Sequence, residues 1–305
     1  MSNLHSILQR PGAVAATHSG SFHADDVLAA ATLRLVNPAL PILRTRDQEQ
    51  LDAADIIFDV GRVFDSATCR FDHHQLEYKE ARENGIPYSS FGLVWRELGT
   101  HLCESAAAAA RVDRWLVQGV DAMDCGITLT KETLPVTLMS ISTVLGGFNP
   151  GWQDVTSTEV RNEAFERAVI LAITVLQNTI RDANGFEKAR AAVTRGVLLE
   201  AGRLLVLEHD VPWKDTVLGS SEYAHLLYVI SPDAQAKWHV TAVPDSAGSF
   251  NNRKSLPSAW AGLDGEELDA VIGMKDCVFC HRGRFVAGHK TKDGAIEMAR
   301  LALQD

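Results

Sequence analysis

The amino-acid sequence predicts an α/β protein of two domains: an N-terminal domain with a mainly parallel sheet and a smaller C-terminal domain of mixed α/β structure. Three observations lead to this prediction. In the first half, short apolar runs alternate with stretches of helical spacing, which is typical of βαβ units. The glycines and proline of "GGFNPGW" (146–152) interrupt this pattern, and strand-like runs return after Pro212. Because 305 residues fit two medium-sized domains, we place the domains at 1–150 and 151–305.

The first half contains three apolar runs that we interpret as strands: "GAVAATH" (12–18), "LPILRT" (40–45) and "ADIIFDVG" (54–61). Between the first two, "ADDVLAAATLRLV" (24–36) has helical spacing with an Ala-rich face. A further helix is predicted from about Ser105 to Val120. Parallel strands collect functional groups at their carboxyl ends, and His18 and Asp59 stand at two such ends.

The second half begins with a helical region and continues with strands. Apolar residues recur at helical spacing from Phe165 to Ile180, and we predict a second helix over roughly 187–203. The strands that we predict are "AHLLYVIS" (224–231), "WHVTAVP" (238–244) and "CVFCHRGRFVAG" (277–288), followed by a helix over "GAIEMARLAL" (294–303). The cysteines of "CVFC" fit a strand, and because no second CxxC exists we interpret them as structural.

Charge and composition restrict the classes of partner. The formal net charge is -10, with 39 acidic and 29 basic residues, so the overall field opposes non-specific binding to nucleic acid. A polyanionic substrate therefore requires a metal site or a local basic patch. No apolar run approaches the roughly 20 residues of a membrane span, which predicts a protein without a membrane partner. The start of the sequence shows no targeting signal, and five scattered cysteines indicate reduced thiols. We expect a cytoplasmic location.

Histidines and aspartates concentrate in a few loops of the first half. The stretch "THSGSFHADD" (17–26) and the triplet in "FDHHQ" (71–75) are hard to explain by core packing, because many polar groups would need partners at once. A metal site satisfies such groups. Imidazole and carboxylate donors without thiolate suit Mn²⁺ or Mg²⁺, and their number predicts two ions. The candidates are His18, His23, Asp25, Asp59, Asp72, His73, His74, Asp121 and Asp124.

These motifs resemble those of a known superfamily. "FDHHQ", preceded by "FDVG" (58–61), is similar to the Asp-His-His signature of the DHH phosphoesterases. Together, "THSGSFHADDVLAA", "RTRD", "DVGRVFD", "FDHHQ", "VDAMDCGI", "SLPSAWAGL" and "GAIEMARLAL" resemble the MYG1 family of metal-dependent exonucleases. The resemblance implies a DHH-type catalytic domain, a DHH-associated-like substrate-binding domain, and 3′–5′ exonuclease hydrolysis of RNA or short oligonucleotides by two metal ions.

The resemblance also implies roles for particular residues. His18, Asp25 and His73 would be metal ligands, and Asp59 would bridge the two ions. His23 would replace an aspartate that the family motif has in this loop. His74 would contact phosphate, and Asp72 would orient a histidine. Either Asp121 or Asp124 would supply the fourth motif, and Asp26 is interpreted as a helix N-terminal carboxylate favoured by the helix dipole.

The second domain offers candidates for binding the substrate. In "AGHKT" (287–291), a glycine precedes His289 and Lys290 just before a helix, where backbone N–H groups and a cation can meet a phosphate. Arg253, Lys254 and His281 are further candidates. Two alternatives stay open: a small-molecule phosphatase or pyrophosphatase with the same chemistry, and a non-catalytic metal-binding protein. The oligomeric state is also open, with a homo-oligomer among the expectations.

Overall fold

The computed structural model describes residues 3–130, 136, 138–154, 156–235 and 237–305. The chain divides by its internal contacts into two compact units, Met1–Gly185 and Phe186–Asp305. Each unit combines a sheet with helices, which confirms the α/β class. The contact division falls inside a long helix, whereas the sequence places the domain boundary at residue 150; that boundary stays a prediction.

The first unit is built on a five-stranded sheet of order β2-β1-β3-β5-β4. Its strands are β1 Ala15–Thr17, β2 Ile42–Arg44, β3 Ile56–Phe58, β4 Phe64–Asp65 and β5 Arg70–Phe71. The four strands β2, β1, β3 and β5 are parallel, and β4 pairs antiparallel with β5 at one edge. All residues of β1 and β3 are buried, as expected for strands covered on both faces. The three strands predicted in this half are confirmed.

Eight helices among the described residues surround this sheet or extend from it. They are α1 Asn3–Leu8, α2 Ala24–Val36, α3 Gln48–Ala53, α4 Ser90–Leu102, α5 Ala106–Val112, α6 Gln118–Asp124, α7 Ile141–Gly146 and α8 Thr158–Thr194. The segment Asp113–Val117 connects α5 and α6 as one π-helical turn. The alanine-rich α2 packs closely against α4, because small side chains let two helices approach. Together, α5, the π-helical turn and α6 confirm the helix predicted over residues 105–120 and extend it to Asp124.

The prediction of two separate helices after residue 158 was wrong. One helix, α8, continues through both stretches for 37 residues. It ends at Thr194, so the last part of the predicted 187–203 helix is instead a strand, Val197–Leu199, followed by one 3₁₀ turn. Phe165, Val169, Ala172 and Leu176 are buried on one face of α8 as their spacing predicts.

The second unit contains a six-stranded sheet of order β10-β11-β9-β8-β7-β6. Its elements are β6 Val197–Leu199, β7 Leu204–Val206, α9 Lys214–Leu218, β8 Tyr228–Pro232, β9 Trp238–Ala242, α10 Gly265–Ile272, β10 Cys277–Cys280, β11 Val286–His289 and α11 Lys292–Gln304. Pairing is antiparallel except between β7 and β8. The buried face of α11 packs on β8 and β9. The predicted strands β8 and β9 and the final helix are confirmed, whereas the run predicted as one strand over 277–288 forms two antiparallel strands, β10 and β11.

No helix among the residues described has both the length and the apolar character needed to cross a membrane.

Candidate metal centre

Three chain segments meet at one edge of the parallel sheet. His18 follows β1, Asp59 follows β3, and the triplet Asp72–His74 follows β5. These strands are neighbours and run in the same direction, so their carboxyl ends lie side by side. The start of α2 adds His23 and Asp25, and the end of α6 adds Asp124.

Buried polar groups hold the loop between β1 and α2. The guanidinium of Arg44, on β2, donates to the carbonyl of Gly20 at 2.7 Å and lies 4.7 Å from the centre of the Phe165 ring. The side chain of Asn149 exchanges two hydrogen bonds with the backbone of Phe22. These contacts fix the loop that carries His18, so the imidazole is positioned by the fold.

Asp59 lies at the middle of the cluster. Its side chain is 1% exposed, and its backbone is left-handed at φ 55°, a conformation that is costly for residues other than glycine and collects at functional sites. One carboxylate oxygen lies 3.2 Å from His18 Nε2. The other accepts a hydrogen bond from Ser90 Oγ at 3.2 Å and lies 3.7 Å from His73 Nδ1. The carboxylate thus faces histidines from two different strands.

Asp72 orients the two histidines that follow it. Its carboxylate accepts hydrogen bonds from the backbone N–H groups of Arg62 and His73, and from His74 Nδ1 at 2.8 Å. Burial opposes ionisation of Asp72, but the bonds from His74 and Arg62 outweigh it and lower the pKa of this carboxyl. The hydrogen bond between His74 and Asp72 also raises the pKa of His74, although burial alone would lower it. Since Nδ1 is engaged, Nε2 is the ring nitrogen of His74 available to another molecule.

The opposite side of the cluster contains Asp25 and Asp124. His73 Nε2 lies 3.0 Å from Asp124 Oδ2, and donor atoms of His23, Asp25 and Asp124 lie within 4.8 Å of one another. Asp25 is completely buried, no N–H or hydroxyl group of the described residues donates to its oxygens, and its polar neighbour is the carboxyl group of Asp124. Burial and the negative charges of Asp59 and Asp124 raise the pKa of Asp25 well above its ordinary value.

The donor atoms form overlapping sets that can hold metal. Each of four sets lies within 4.8 Å: Asp59, Asp72, His73 and His74; His18, His23 and Asp59; His23, Asp25 and Asp124; and His73, Asp124 and Cys125. A buried carboxylate without a partner costs free energy unless a cation compensates it. The two orphaned oxygens of Asp25, surrounded by further carboxylates and imidazoles, therefore fit a divalent cation.

Asp121 is placed differently from Asp124, although the sequence left both as ligands. Its carboxylate accepts hydrogen bonds from Ser89 Oγ at 2.6 Å and from the N–H of Gly92 at 3.0 Å, and it forms an ion pair with Arg82 at 2.8 Å. A Cβ atom at Gly92 would overlap this carboxylate. Burial, opposed by Ser89 and Arg82, raises the pKa of Asp121 to about 6. The structure thus brings Asp124, and not Asp121, into the donor sets.

Asp26 has a second contact that sequence reasoning missed. It accepts from the backbone N–H of His23 at 2.9 Å, as an N-terminal helix carboxylate does, and it also lies 3.2 Å from His18 Nε2. Burial lowers the pKa of His18, but the hydrogen bonds to Asp26 and Asp59 outweigh it and raise the value to about 10. Asp26 therefore contacts the same ring nitrogen of His18 as Asp59 does.

Two arginines beside the cluster were also missed. Arg46 and Arg62 are exposed and line a cavity of about 210 Å³ together with His18, His23 and His74. Arg62, like Asp59, has a left-handed backbone, at φ 56°. Both arginines belong to motifs of the family resemblance, "RTRD" and "DVGRVFD", so the sequence contained a signal for them. The cavity therefore has carboxylates on its floor and cations at its margin.

In the second unit, His289 and Lys290 already have protein partners. His289 is buried; its Nε2 lies 2.8 Å from the carbonyl of Lys275, and its ring would overlap a Cβ at Gly294. Lys290 forms an exposed ion pair with Asp276 at 2.7 Å. Their role in binding substrate stays a prediction.

The other three candidates of this unit also contact the protein itself. Arg253 Nη1 donates to the carbonyls of Tyr223 and Leu226, at 2.5 and 3.0 Å. Lys254 donates to a carbonyl near the end of α11 at 3.3 Å, and His281 Nδ1 accepts the N–H of Gly283 at 2.9 Å. These contacts give each residue a structural function, and a substrate contact stays a prediction for all three.

Comparison with known proteins places this architecture in a family. Residues 14–303 match the MYG1 exonuclease family model, described as "Uncharacterised protein family (UPF0160)". The MYG1 exonucleases of Bos taurus and Homo sapiens are 33% and 32% identical; each alignment covers 94% of this chain, and 84% and 85% of the relative. The MYG1 protein of Saccharomyces cerevisiae is 29% identical over 94% of both chains. The chain therefore belongs to the MYG1 exonuclease family.

Proposed function

We propose that this protein is a metal-dependent phosphodiesterase of the DHH type, a 3′–5′ exonuclease that hydrolyses RNA or short oligonucleotides with two Mn²⁺ or Mg²⁺ ions. The observation that carries the proposal is the cluster of imidazoles and carboxylates around Asp59, with the unpartnered carboxylate of Asp25 buried beside it. The relatives named exonucleases support a nuclease-type hydrolase.

Two groups of residues would hold the ions. His18 and His23 would hold one ion, and Asp59 faces both groups. Asp25 and Asp124, which share a donor set with His23, would hold the other ion together with His73, which lies 3.0 Å from Asp124. When bound, divalent ions lower the pKa of a water molecule and neutralise the charge that builds up on phosphorus oxygens during in-line displacement. Histidine donors favour Mn²⁺ over Mg²⁺.

One of the protein's own side chains positions the phosphate. In hydrolysis, a water oxygen forms a bond to phosphorus, the bond from phosphorus to the leaving sugar oxygen breaks, and a water proton ends on that oxygen. His74 borders the cavity with Nε2 available, because Asp72 holds its Nδ1 at 2.8 Å. Its raised pKa favours the protonated ring, which donates from Nε2 to a phosphate oxygen.

Arg46 and Arg62 would contact the phosphate groups of the substrate. They are cations beside a cavity whose floor is acidic, in a chain of net charge -10. Guanidinium groups bind phosphate oxygens through two hydrogen bonds at once. This pair would supply the local basic patch that a polyanionic substrate needs. In the second unit, Lys290 stays a candidate for contacting a phosphate of the substrate.

One set of hydrolysis assays tests the proposal. RNA labelled at the 5′ or at the 3′ end, dinucleotides and pyrophosphate are compared with Mn²⁺, Mg²⁺ and EDTA. We expect 5′-labelled RNA to give a ladder of shortening products, and 3′-labelled RNA to release labelled mononucleotide, only with metal. Full hydrolysis in chelator after verified metal removal would overturn the mechanism. Cleavage of pyrophosphate alone would indicate a small-molecule phosphatase, and metal binding without any hydrolysis would indicate a non-catalytic protein.

A further inference from the structure

One cysteine lies within the metal centre. Cys125 directly follows α6, and its Sγ lies within 4.8 Å of a donor nitrogen of His73 and a donor oxygen of Asp124. It is partly exposed, whereas Cys69, Cys103, Cys277 and Cys280 are buried. The sequence predicted a donor set without thiolate. The structure instead adds a sulfur to the side of the centre where Asp124 lies.

A second observation indicates that this side of the centre binds a cation. Asp124 belongs both to the set with His73 and Cys125 and to the set with His23 and Asp25. Asp25 is completely buried with two unpartnered oxygens. The sulfur therefore lies one shared carboxylate away from a buried carboxyl group whose ionised form a cation would stabilise.

The identity of the donor decides which ions the centre accepts. Carboxylates and water suit hard ions such as Mg²⁺, whereas a thiolate selects softer ions such as Zn²⁺, Co²⁺ and Cd²⁺. A cysteine gives up its proton when it binds metal, so ion binding itself generates the thiolate. A set of imidazole, carboxylate and thiolate is therefore more selective for soft ions than imidazole and carboxylate alone.

We propose that Cys125 is a metal ligand beside His73 and Asp124, and that its sulfur makes this half of the centre bind thiophilic divalent ions more tightly than the Mn²⁺ or Mg²⁺ of the proposed reaction. The inference rests on the proposed function in that it uses the same metal centre. It concerns which ion is bound there, and it does not depend on the nature of the substrate.

Absorption spectroscopy tests the sulfur contact directly. Metal-free full-length protein is titrated with Co²⁺ and with Cd²⁺, and the ultraviolet charge-transfer band of a sulfur-to-metal bond is recorded. We expect the band in the wild type and its loss in Cys125→Ser. The matched control is Cys103→Ser, because Cys103 is buried at the end of α4 and lies outside the donor sets. Affinity for Cd²⁺ should fall about tenfold or more in Cys125→Ser, and affinity for Mn²⁺ should change much less.

Alkylation of the wild-type protein gives a measurement that does not depend on whether a variant folds. Bound Cd²⁺ should protect Cys125 from iodoacetamide, as read by mass spectrometry. An equal band in Cys125→Ser, or bound Co²⁺ without a band in the wild type, would overturn the inference. Neither outcome bears on whether the protein hydrolyses RNA. Conversely, a protein that shows the band but cleaves no RNA would reject the proposed function and leave the ligand assignment standing.

Discussion

Asp25→Asn is expected to leave the metal-free protein at least as stable as the wild type. Burial and the charges of Asp59, Asp124 and Asp26 all raise the pKa of Asp25. Donor oxygens of Asp25 and Asp124 lie within 4.8 Å, so two ionised groups would repel by roughly 3 kcal/mol at an effective dielectric constant of about 20. Protonation already relieves part of this repulsion, so we expect the uncharged, similarly shaped amide to add between zero and about 2 kcal/mol.

The pH dependence of this difference has a definite sign. The folded metal-free protein binds a proton on Asp25 more tightly than the unfolded chain does, because burial raises the pKa of this carboxyl above its unfolded value. This group therefore makes the metal-free wild type less stable as pH rises above the unfolded pKa. Asparagine does not ionise, so the Asp25→Asn variant does not lose this stability. Its stability relative to the metal-free wild type should therefore increase with pH.

With metal bound, we expect the wild type to be more stable than Asp25→Asn. At 100 times its dissociation constant an ion stabilises the folded state by about 2.7 kcal/mol, which for a unit of this size raises Tm by roughly 8 °C. Asp25→Asn should lose most of this gain. The assay is thermal unfolding of both proteins in EDTA and in a Mn²⁺ series at several pH values, with calorimetric titration of Mn²⁺. A clearly destabilised metal-free variant that keeps the full response to Mn²⁺ would refute the reasoning.

Three further expectations concern single residues. Asp59→Asn should abolish hydrolysis while circular dichroism stays native, because asparagine tolerates the left-handed backbone at this position; near-normal turnover would remove Asp59 from the centre. Asp124→Asn should lose calorimetric binding of Mn²⁺, whereas Asp121→Asn should keep it; the reverse result would exchange their roles. Arg62→Gln should lower kcat/KM for a short RNA about tenfold at low salt and less at high salt. Lys290→Ala should also lower kcat/KM. Asp276→Asn should raise kcat/KM, because it removes the ion-pair partner of Lys290. An unchanged kcat/KM in Arg62→Gln or in Lys290→Ala would exclude that residue as a phosphate contact.

The strand-end residues of the centre were predictable because two periodic signals agree. Apolar runs indicated β1 and β3, and the alternation with helices indicated parallel strands, whose carboxyl ends meet at one edge. His18, Asp59 and the Asp72–His74 triplet follow such strands and lie together in the structure. The strand β5 itself has only two residues, which is too short for any pattern, so the position of the triplet came from the motif.

Residues placed by packing were not predictable in the same way. Asp121 and Asp124 lie three positions apart on α6, and helical spacing puts them on neighbouring faces. Only the contacts with α4 and Arg82 decide that Asp121 points away from the donor sets. Likewise, Gly185 costs about 1 kcal/mol inside a helix, yet α8 continues through it to Thr194. The strands β6 and β7 are three residues each, and such short apolar runs do not distinguish strand from helix.

The charge of the centre links its stability to its proposed chemistry. Four carboxylates in the donor sets, with Asp26 against His18, give the sheet edge a negative potential that would repel a phosphate and strain the fold. Two divalent ions held near Asp25 and Asp59 would offset this charge, because each would add two positive charges against the four carboxylates. With those carboxylates neutralised, Arg46 and Arg62 at the cavity margin would attract a phosphate together with the ions. Under the proposed function, acidic residues whose charge opposes binding of nucleic acid would therefore hold the metal that attracts its phosphate.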